Sequence, residues 1–178
     1  MMAQEPCRVR LATAGDREQV WNWRNDPSVR SFMFSTSEVP WADHVAWFER
    51  TLVDPTKHAL IFEINGEPSG FANIQELPSR KVAEWGFYKA PGAPGGTGKT
   101  LGGITLRYAF EILQLHKIYA QVLAFNQRSI ELHLALGFEQ EGLLRDQHFD
   151  GRAYYDVYCF GLRDAQWTET FPYAGPPL

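Results

Sequence analysis

Residues 84–103 read EWGFYKAPGAPGGTGKTLGG, a strand-like apolar segment that passes through a glycine-rich loop into a helix-like segment. Successive amides at residues 95–99, at the positive start of a helix, are typical of an anion site that holds a diphosphate. The alternative is an ordinary glycine-rich turn that only leads into the helix. The loop alone does not separate these two interpretations.

Residues 93–100, APGGTGKT, also fit loosely the phosphate loop of nucleoside-triphosphate enzymes, with Ala93 at the position of the first glycine. Such an enzyme needs an aspartate at the end of a later apolar strand to help hold magnesium. The corresponding stretch here, KIYAQVLAFN at residues 117–126, contains no aspartate. A hairpin pattern follows instead of repeated strand–helix units. The sequence therefore argues against a triphosphate enzyme.

Hydrophobic periodicity outward from the loop predicts one α/β domain over residues 1–165 and a poorly ordered tail over residues 166–178. Asn65-Gly66 and Asp150-Gly151 are typical of tight hairpin turns. Helices are predicted at residues 15–23, 41–52, 101–115 and 129–136. Strands are predicted at residues 9–11, 58–64, 69–75, 81–88, 118–123, 143–149 and 154–162.

Composition limits the partners of the chain. The 178 residues carry a formal net charge of -4 and no run of lysine or arginine, which argues against nucleic-acid and membrane partners. Cys7 and Cys159 are far apart and lack metal-ligand spacing, so no metal is expected. No signal-like or membrane-spanning stretch is present, which favours a cytoplasmic protein with a small-molecule partner. A homodimer is compatible with the sequence, which does not fix the oligomeric state.

The order of these segments resembles the GCN5-related N-acetyltransferase (GNAT) family over residues 9–162. Residues 84–103 resemble its pyrophosphate loop, in which Gly96 and Gly98 match and Ala93 replaces the usual arginine or glutamine. Residues 122–142, VLAFNQRSIELHLALGFEQEG, match a second family stretch. The resemblance implies acetyl-CoA as co-substrate and a mixed, strongly bent sheet flanked by helices. The strands at residues 81–88 and 118–123 are expected to splay where the coenzyme inserts.

The resemblance also implies which residues bind the coenzyme. The strand before the loop is expected to offer backbone groups to the acetyl carbonyl and the pantetheine, and residues 126 and 129 to line the lower coenzyme arm. The expected cofactor-binding residues are Phe87, Tyr88, Gly95, Gly96, Thr97, Gly98, Lys99, Thr100, Asn126 and Ser129.

Three residues are candidates for the proton transfers of amine acetylation. His133 lies where the family often places a tyrosine that protonates the leaving thiolate, although a lone histidine can simply fill space. Glu84 could accept the amine proton directly or through water, although a solvated or salt-bridged strand residue is the plain alternative. Asn73 could hold that water or the substrate, or form a hydrogen bond within the sheet.

The acceptor is suggested by a finer resemblance, carried by residues 23–49, 84–91 and 142–157. These stretches are similar to the branch that acetylates UDP-linked 4-amino sugars of the UDP-4-amino-4,6-dideoxy-N-acetyl-altrosamine type, in pseudaminic acid biosynthesis for flagellin glycosylation. An arginine near a diphosphate and apolar side chains around uracil would suit such a substrate. The candidate substrate residues are Arg24, Asn25, Met33, Phe34, His44 and Phe48.

Two other functions stay open from the sequence. Relatives that acetylate protein N-termini share the WRNDP motif at residues 23–27 and the final hairpin motif, so a protein N-terminus or another small amine is the second possible acceptor. A non-catalytic domain that only binds acyl-coenzyme A is the third hypothesis.

Overall fold

A mixed seven-stranded sheet flanked by helices forms the protein, as described for residues 7–79 and 81–167 by the computed structural model. The strand order is β1-β2-β3-β4-β5-β7-β6, and within the described residues β4 and β5 form the parallel pair. All other neighbours are antiparallel. The strands are β1 Cys7–Leu11, β2 Lys57–Ile64, β3 Glu67–Glu76, β4 Val82–Lys89, β5 Lys117–Leu123, β6 Glu139–Phe149 and β7 Tyr154–Arg163.

The helices follow the predicted periodicity, with one addition. They are α1 Arg17–Asn25, α2 Pro27–Arg30, α3 Trp41–Val53, α4 Thr97–Arg107 and α5 Gln127–Ala135. The short helix α2 is the addition: the side chain of Asp26 accepts a hydrogen bond from the Ser28 amide, and Pro27 occupies the first turn. Helix α4 continues as a π-helical turn over Tyr108–Ile112.

Two apolar cores cover the two faces of the sheet. Helices α4 and α5 pack on one face, with Leu101 and Ile130 buried against Trp85 and other strand residues. Helices α1 and α3 pack on the other, where Phe48 is 0% exposed beside Trp23 and Phe71. Burial of each such side chain contributes about 1.5–3 kcal/mol, so both helix layers are firmly attached to the sheet.

The sheet opens between β4 and β5. Their pairing covers Val82, Ala83 and Glu84 and ends at the pair Glu84–Tyr119, although β4 continues to Lys89. The other edge of β4 stays paired with β3 as far as Lys89, and β5 stays paired with β7 as far as Leu123. The opening therefore exposes one edge of each strand. The predicted mixed sheet with splayed central strands is confirmed.

The predicted tail falls mostly outside the described residues. Trp167 still belongs to the domain, because its ring packs against Phe110 with the centroids 5.6 Å apart. Residues 168–178 lie outside the description. No helix in residues 7–79 or 81–167 is long and apolar enough to cross a membrane.

Candidate active site

A cavity of about 820 Å³ lies at the opening between β4 and β5. Its coenzyme end, as we name it, is formed by the loop before α4 and the start of α5. Its acceptor end is formed by α1, α2, the segment between α2 and α3, and the facing side of β3 and β4. One continuous space thus joins the predicted diphosphate loop to the predicted substrate residues.

The loop before α4 leaves several amides unpaired. Gly96 caps the helix in the left-handed conformation with φ 83°. The amides of Thr97 and Lys99 donate to Pro94 O at 3.4 Å and Gly96 O at 3.1 Å. Within the described residues, the amides of Gly95, Gly96 and Gly98 have no acceptor. These three, at the positive end of a helix, are suited to an anion.

The predicted loop residues separate into two groups. Gly95, Gly96, Gly98 and Lys99 line the cavity. Thr97 is 4% exposed and Thr100 donates its hydroxyl to Gly96 O, and neither lines the cavity. Their side chains therefore support the loop.

The start of α5 brings Asn126 and Ser129 to the coenzyme end, together with Arg128. The side-chain oxygen of Asn126 accepts a hydrogen bond from the Ser129 amide at 3.2 Å, which caps the helix. The predicted coenzyme contacts of Asn126 and Ser129 stay predictions.

His133 lines the cavity, but its ring is 4% exposed and both of its nitrogens are engaged. Nδ1 donates to the carbonyl of Ser129 at 2.7 Å, and Nε2 accepts the indole N–H of Trp85 at 3.3 Å. The ring also stacks on Phe160. Burial lowers the pKa of His133, although the bond to Ser129 opposes this. The neutral ring has no proton on Nε2, so the geometry favours a positioning role over the predicted acid role.

The lowered pKa of His133 predicts a pH-dependent contribution to stability. The unfolded chain binds a proton more readily at this site, so unfolding takes up protons and stability falls as pH drops below about 6.5. Between about pH 7.5 and pH 5.5, the Tm of His133→Phe should fall less than that of the wild type. Thermal melts at the two pH values measure the drop in Tm. The control is His116→Gln, which replaces an exposed histidine. Equal drops in wild type and His133→Phe would contradict the assignment.

Glu84 and Asn73 lie on the acceptor face of the sheet. Alternation along β4 puts Glu84, Gly86 and Tyr88 on one face, and the register places Asn73 opposite Gly86. Glu84 Oε2 accepts a hydrogen bond from the Tyr119 hydroxyl at 3.3 Å. Asn73 Oδ1 is buried and has no hydrogen-bond partner among the described residues. An unpaired buried acceptor costs about 1–3 kcal/mol, which a ligand donor would offset.

Arg24 brings a positive charge to the acceptor end. Its Nη2 donates to Ser35 O at 2.9 Å, in the segment between α2 and α3. Its Nη1 is buried and has no partner among the described residues. Burial lowers the pKa of Arg24, and burial raises the pKa of Tyr88 nearby, whose hydroxyl therefore keeps its proton. The free guanidinium nitrogen is a donor suited to an anionic group.

Three other predicted substrate residues, Met33, Phe34 and His44, also line the acceptor end. The ring of Phe34 meets His148 of β6 edge to face, with centroids 5.4 Å apart. His44 is 3% exposed, and its Nε2 lies 2.8 Å from Arg17 O. That bond engages one of the two ring nitrogens of His44.

Asn25 and Phe48, unlike the other predicted substrate residues, do not line the cavity. Asn25 donates to Val39 O and accepts from Val39 N, and so fixes the segment between α2 and α3. Phe48 faces the sheet, where it belongs to the core beneath α3.

Sequence reasoning missed several lining residues. Strand alternation from Glu84 could have identified Gly86, but long-range packing brings the others to the cavity. The missed residues include Gly86, Phe32, Trp47, Phe71, Lys89 and Arg128.

The charges around the cavity are unequal. Among the described lining residues, Glu84 is the single carboxylate, whereas Arg24, Lys89, Lys99 and Arg128 are cationic. In the same part of the chain, no group of three or more His, Cys, Asp or Glu side chains could hold a metal ion. The cavity is therefore suited to negatively charged ligands.

A family model described as "Acetyltransferase (GNAT) domain" matches residues 7–139. The SPbeta prophage-derived uncharacterized N-acetyltransferase YokL of Bacillus subtilis is 41% identical over 86 residues, which span 47% of this chain and about half, 49%, of that protein.

Two other kinds of relative also match. Spermidine N(1)-acetyltransferase of Vibrio cholerae is 27% identical over 84% of this chain and 88% of its own. Acetyltransferase PseH of Campylobacter jejuni is 25% identical over 65% of this chain and 72% of its own. The crystal structure of the Vibrio cholerae spermidine N-acetyltransferase with CoA and spermine superposes with a TM-score of 0.84 and 25% identity, over 92% of this chain and 98% of that chain.

Proposed function

The chain belongs to the GNAT family of acetyltransferases, and we propose that its acceptor amine is carried by an anionic small molecule, first of all a UDP-linked 4-amino sugar. It is an acetyl-CoA-dependent N-acetyltransferase. The charges and unpaired polar atoms of the cavity support this proposal for the acceptor amine.

The residues at the coenzyme end fit the coenzyme that the family uses. We assign the diphosphate to the unpaired amides of Gly95, Gly96 and Gly98, with Lys99 and Arg128 as nearby positive charges. The open edge of β4 beyond Glu84 offers peptide groups to the pantetheine arm. When bound, acetyl-CoA supplies the acetyl group as an activated thioester.

We assign the proton transfers to Glu84 and water. As the amine nitrogen bonds to the thioester carbon and the carbon–sulfur bond breaks, Glu84 takes the amine proton directly or through a water molecule. Asn73 Oδ1 can accept a second N–H of the amine and orient it. We assign protonation of the leaving thiolate to water instead of His133, because Nε2 of the neutral ring already accepts the Trp85 N–H.

The buried and unpaired Nη1 of Arg24 carries the proposal for an anionic acceptor. A guanidinium can bind a diphosphate, and the apolar side chains of Met33, Phe34 and Phe32 can enclose a uracil ring. The likeness to acetyltransferase PseH supports a place in pseudaminic acid biosynthesis, and so in flagellin glycosylation.

A polyamine such as spermidine is the second candidate, favoured by relatives that align over more of the chain. A polyamine carries several positive charges and requires carboxylates or other acceptors around it. The described lining residues contain one carboxylate, Glu84, which we assign to proton transfer. We therefore rank the polyamine below the anionic acceptor.

Replacement of Arg24 tests the proposal. Arg24→Gln should raise the KM for a UDP-4-amino sugar by about 10-fold to 100-fold, because a charged hydrogen bond contributes roughly 1.5–3 kcal/mol. The KM for acetyl-CoA should stay within about twofold, since Arg24 lies at the other end of the cavity. Thiol release with varied acceptor concentration gives both constants.

The matched control is Arg30→Gln, because Arg30 pairs with Glu38 and does not line the cavity. This variant should behave as the wild type. An unchanged acceptor KM in Arg24→Gln, or an equal rise for uncharged amines, would contradict the assignment.

A further inference from the structure

We infer that Gly86 determines acceptor specificity, because its missing side chain keeps open the passage through which the amine reaches the thioester. The inference rests on the proposed function in one respect only: the acceptor end of the cavity receives the amine.

The fold itself does not require a glycine at position 86. Gly86 has no positive φ, and a Cβ built there meets no heavy atom within 4 Å. Gly102 differs, because a Cβ there would lie 2.7 Å from Leu136 Cδ1. Packing therefore explains the glycine at 102 and leaves the one at 86 unexplained.

The position of Gly86 supplies the explanation. It lies in the interior of β4, two residues beyond the last residue that pairs with β5, and it is exposed to the cavity. Glycine in the interior of a strand weakens the strand and often marks a place where a ligand approaches the backbone closely.

The neighbours of Gly86 show which ligand would approach. A side chain at 86 would stand on the same face as Glu84 and Tyr88, opposite Asn73. Glu84 is the proposed base, and Asn73 has the unpaired acceptor. The space above Gly86 is thus where the acceptor amine must pass between these groups.

A series of side chains at position 86 tests this inference. Gly86→Ala should lower kcat/KM for the acceptor by about 10-fold, and Gly86→Leu by about 100-fold or more. The loss should grow with acceptor size, so a small amine such as 2-aminoethyl phosphate should lose less than a nucleotide sugar. The Kd for acetyl-CoA should stay within about threefold, because the diphosphate loop is unchanged.

Gly142→Ala and Gly142→Leu are the matched controls. Gly142 is also a strand glycine, a Cβ there would meet only Cys159 Cβ at 3.9 Å, and it does not line the cavity. Both variants should retain wild-type kcat/KM. If Gly86→Leu does not fold, the inference is tested with Gly86→Ala alone, because a methyl group at position 86 contacts no other atom.

The amine in this experiment is the best acceptor that the wild type shows in a panel of amino sugars, polyamines and peptides. If that amine is a polyamine, the anionic-acceptor proposal fails. The Gly86 variants still test the present inference, because their kcat/KM is then measured with the polyamine. Wild-type kcat/KM in Gly86→Leu with every amine would overturn the inference. An equal loss for all acceptor sizes, or a lost affinity for acetyl-CoA, would overturn it as well.

Discussion

Replacement of Gly98 by valine is expected to weaken acetyl-CoA binding by about 100-fold, which corresponds to the loss of one or two charge-assisted hydrogen bonds. Gly98 lines the coenzyme end in the first turn of α4, and its amide has no acceptor among the described residues. A valine side chain there would occupy the space in which the diphosphate approaches that amide.

The same change should leave the fold intact. A Cβ at position 98 lies 3.6 Å from Leu132 Cδ2, an ordinary contact, and the φ of Gly98 is not positive. Calorimetry gives the Kd and a thermal melt gives the stability, with Gly142→Val as a control outside the cavity. An unchanged Kd in a folded Gly98→Val protein would mean that the loop is only a turn.

The second large effect is expected for Glu84→Gln, which should lower kcat by about 100-fold to 10,000-fold, the usual scale for a positioned base. The amide keeps the size of the side chain and removes its ability to take a proton. The Kd for acetyl-CoA should not change. The residual rate should increase with pH, because the amine must then lose its proton before it binds.

Glu67→Gln is the control for this measurement, since Glu67 is an exposed carboxylate at the start of β3. It should keep the wild-type rate and pH profile. A wild-type kcat in Glu84→Gln would contradict this assignment and would mean that water or another group is the base.

Much of the fold could be predicted because its signals are local. The turns at Asn65-Gly66 and Asp150-Gly151 and the glycine that begins α4 each fix a connection by backbone conformation. The helix α2 escaped prediction because four residues are too few to show a helical period. The first residues of β6 were not predicted, because that strand is largely exposed and its polar and apolar residues do not alternate clearly.

The site was harder to predict, because its residues come from distant segments. The glycine loop and Glu84 were found through motif and alternation, and both line the cavity. Phe48 was predicted to bind substrate and lies in a core, because an apolar residue on an amphipathic helix can face either a core or a pocket. Burial among residues distant in the sequence lowers the pKa of His133, and no local pattern contains such contacts as the one with Trp85, 48 residues away.

The acceptor preference of the wild-type protein tests the central proposal most directly. Thiol release from acetyl-CoA would be measured with a UDP-4-amino-4,6-dideoxy-N-acetyl-altrosamine type sugar and with spermidine, each over a range of concentrations. Because Lys99 and Arg128 are assigned to the coenzyme, the acceptor end keeps Arg24 as its cation and Glu84 as its described carboxylate, which predicts a kcat/KM for the sugar about 100-fold or more above that for spermidine. A kcat/KM for spermidine equal to or above that for the sugar would contradict it.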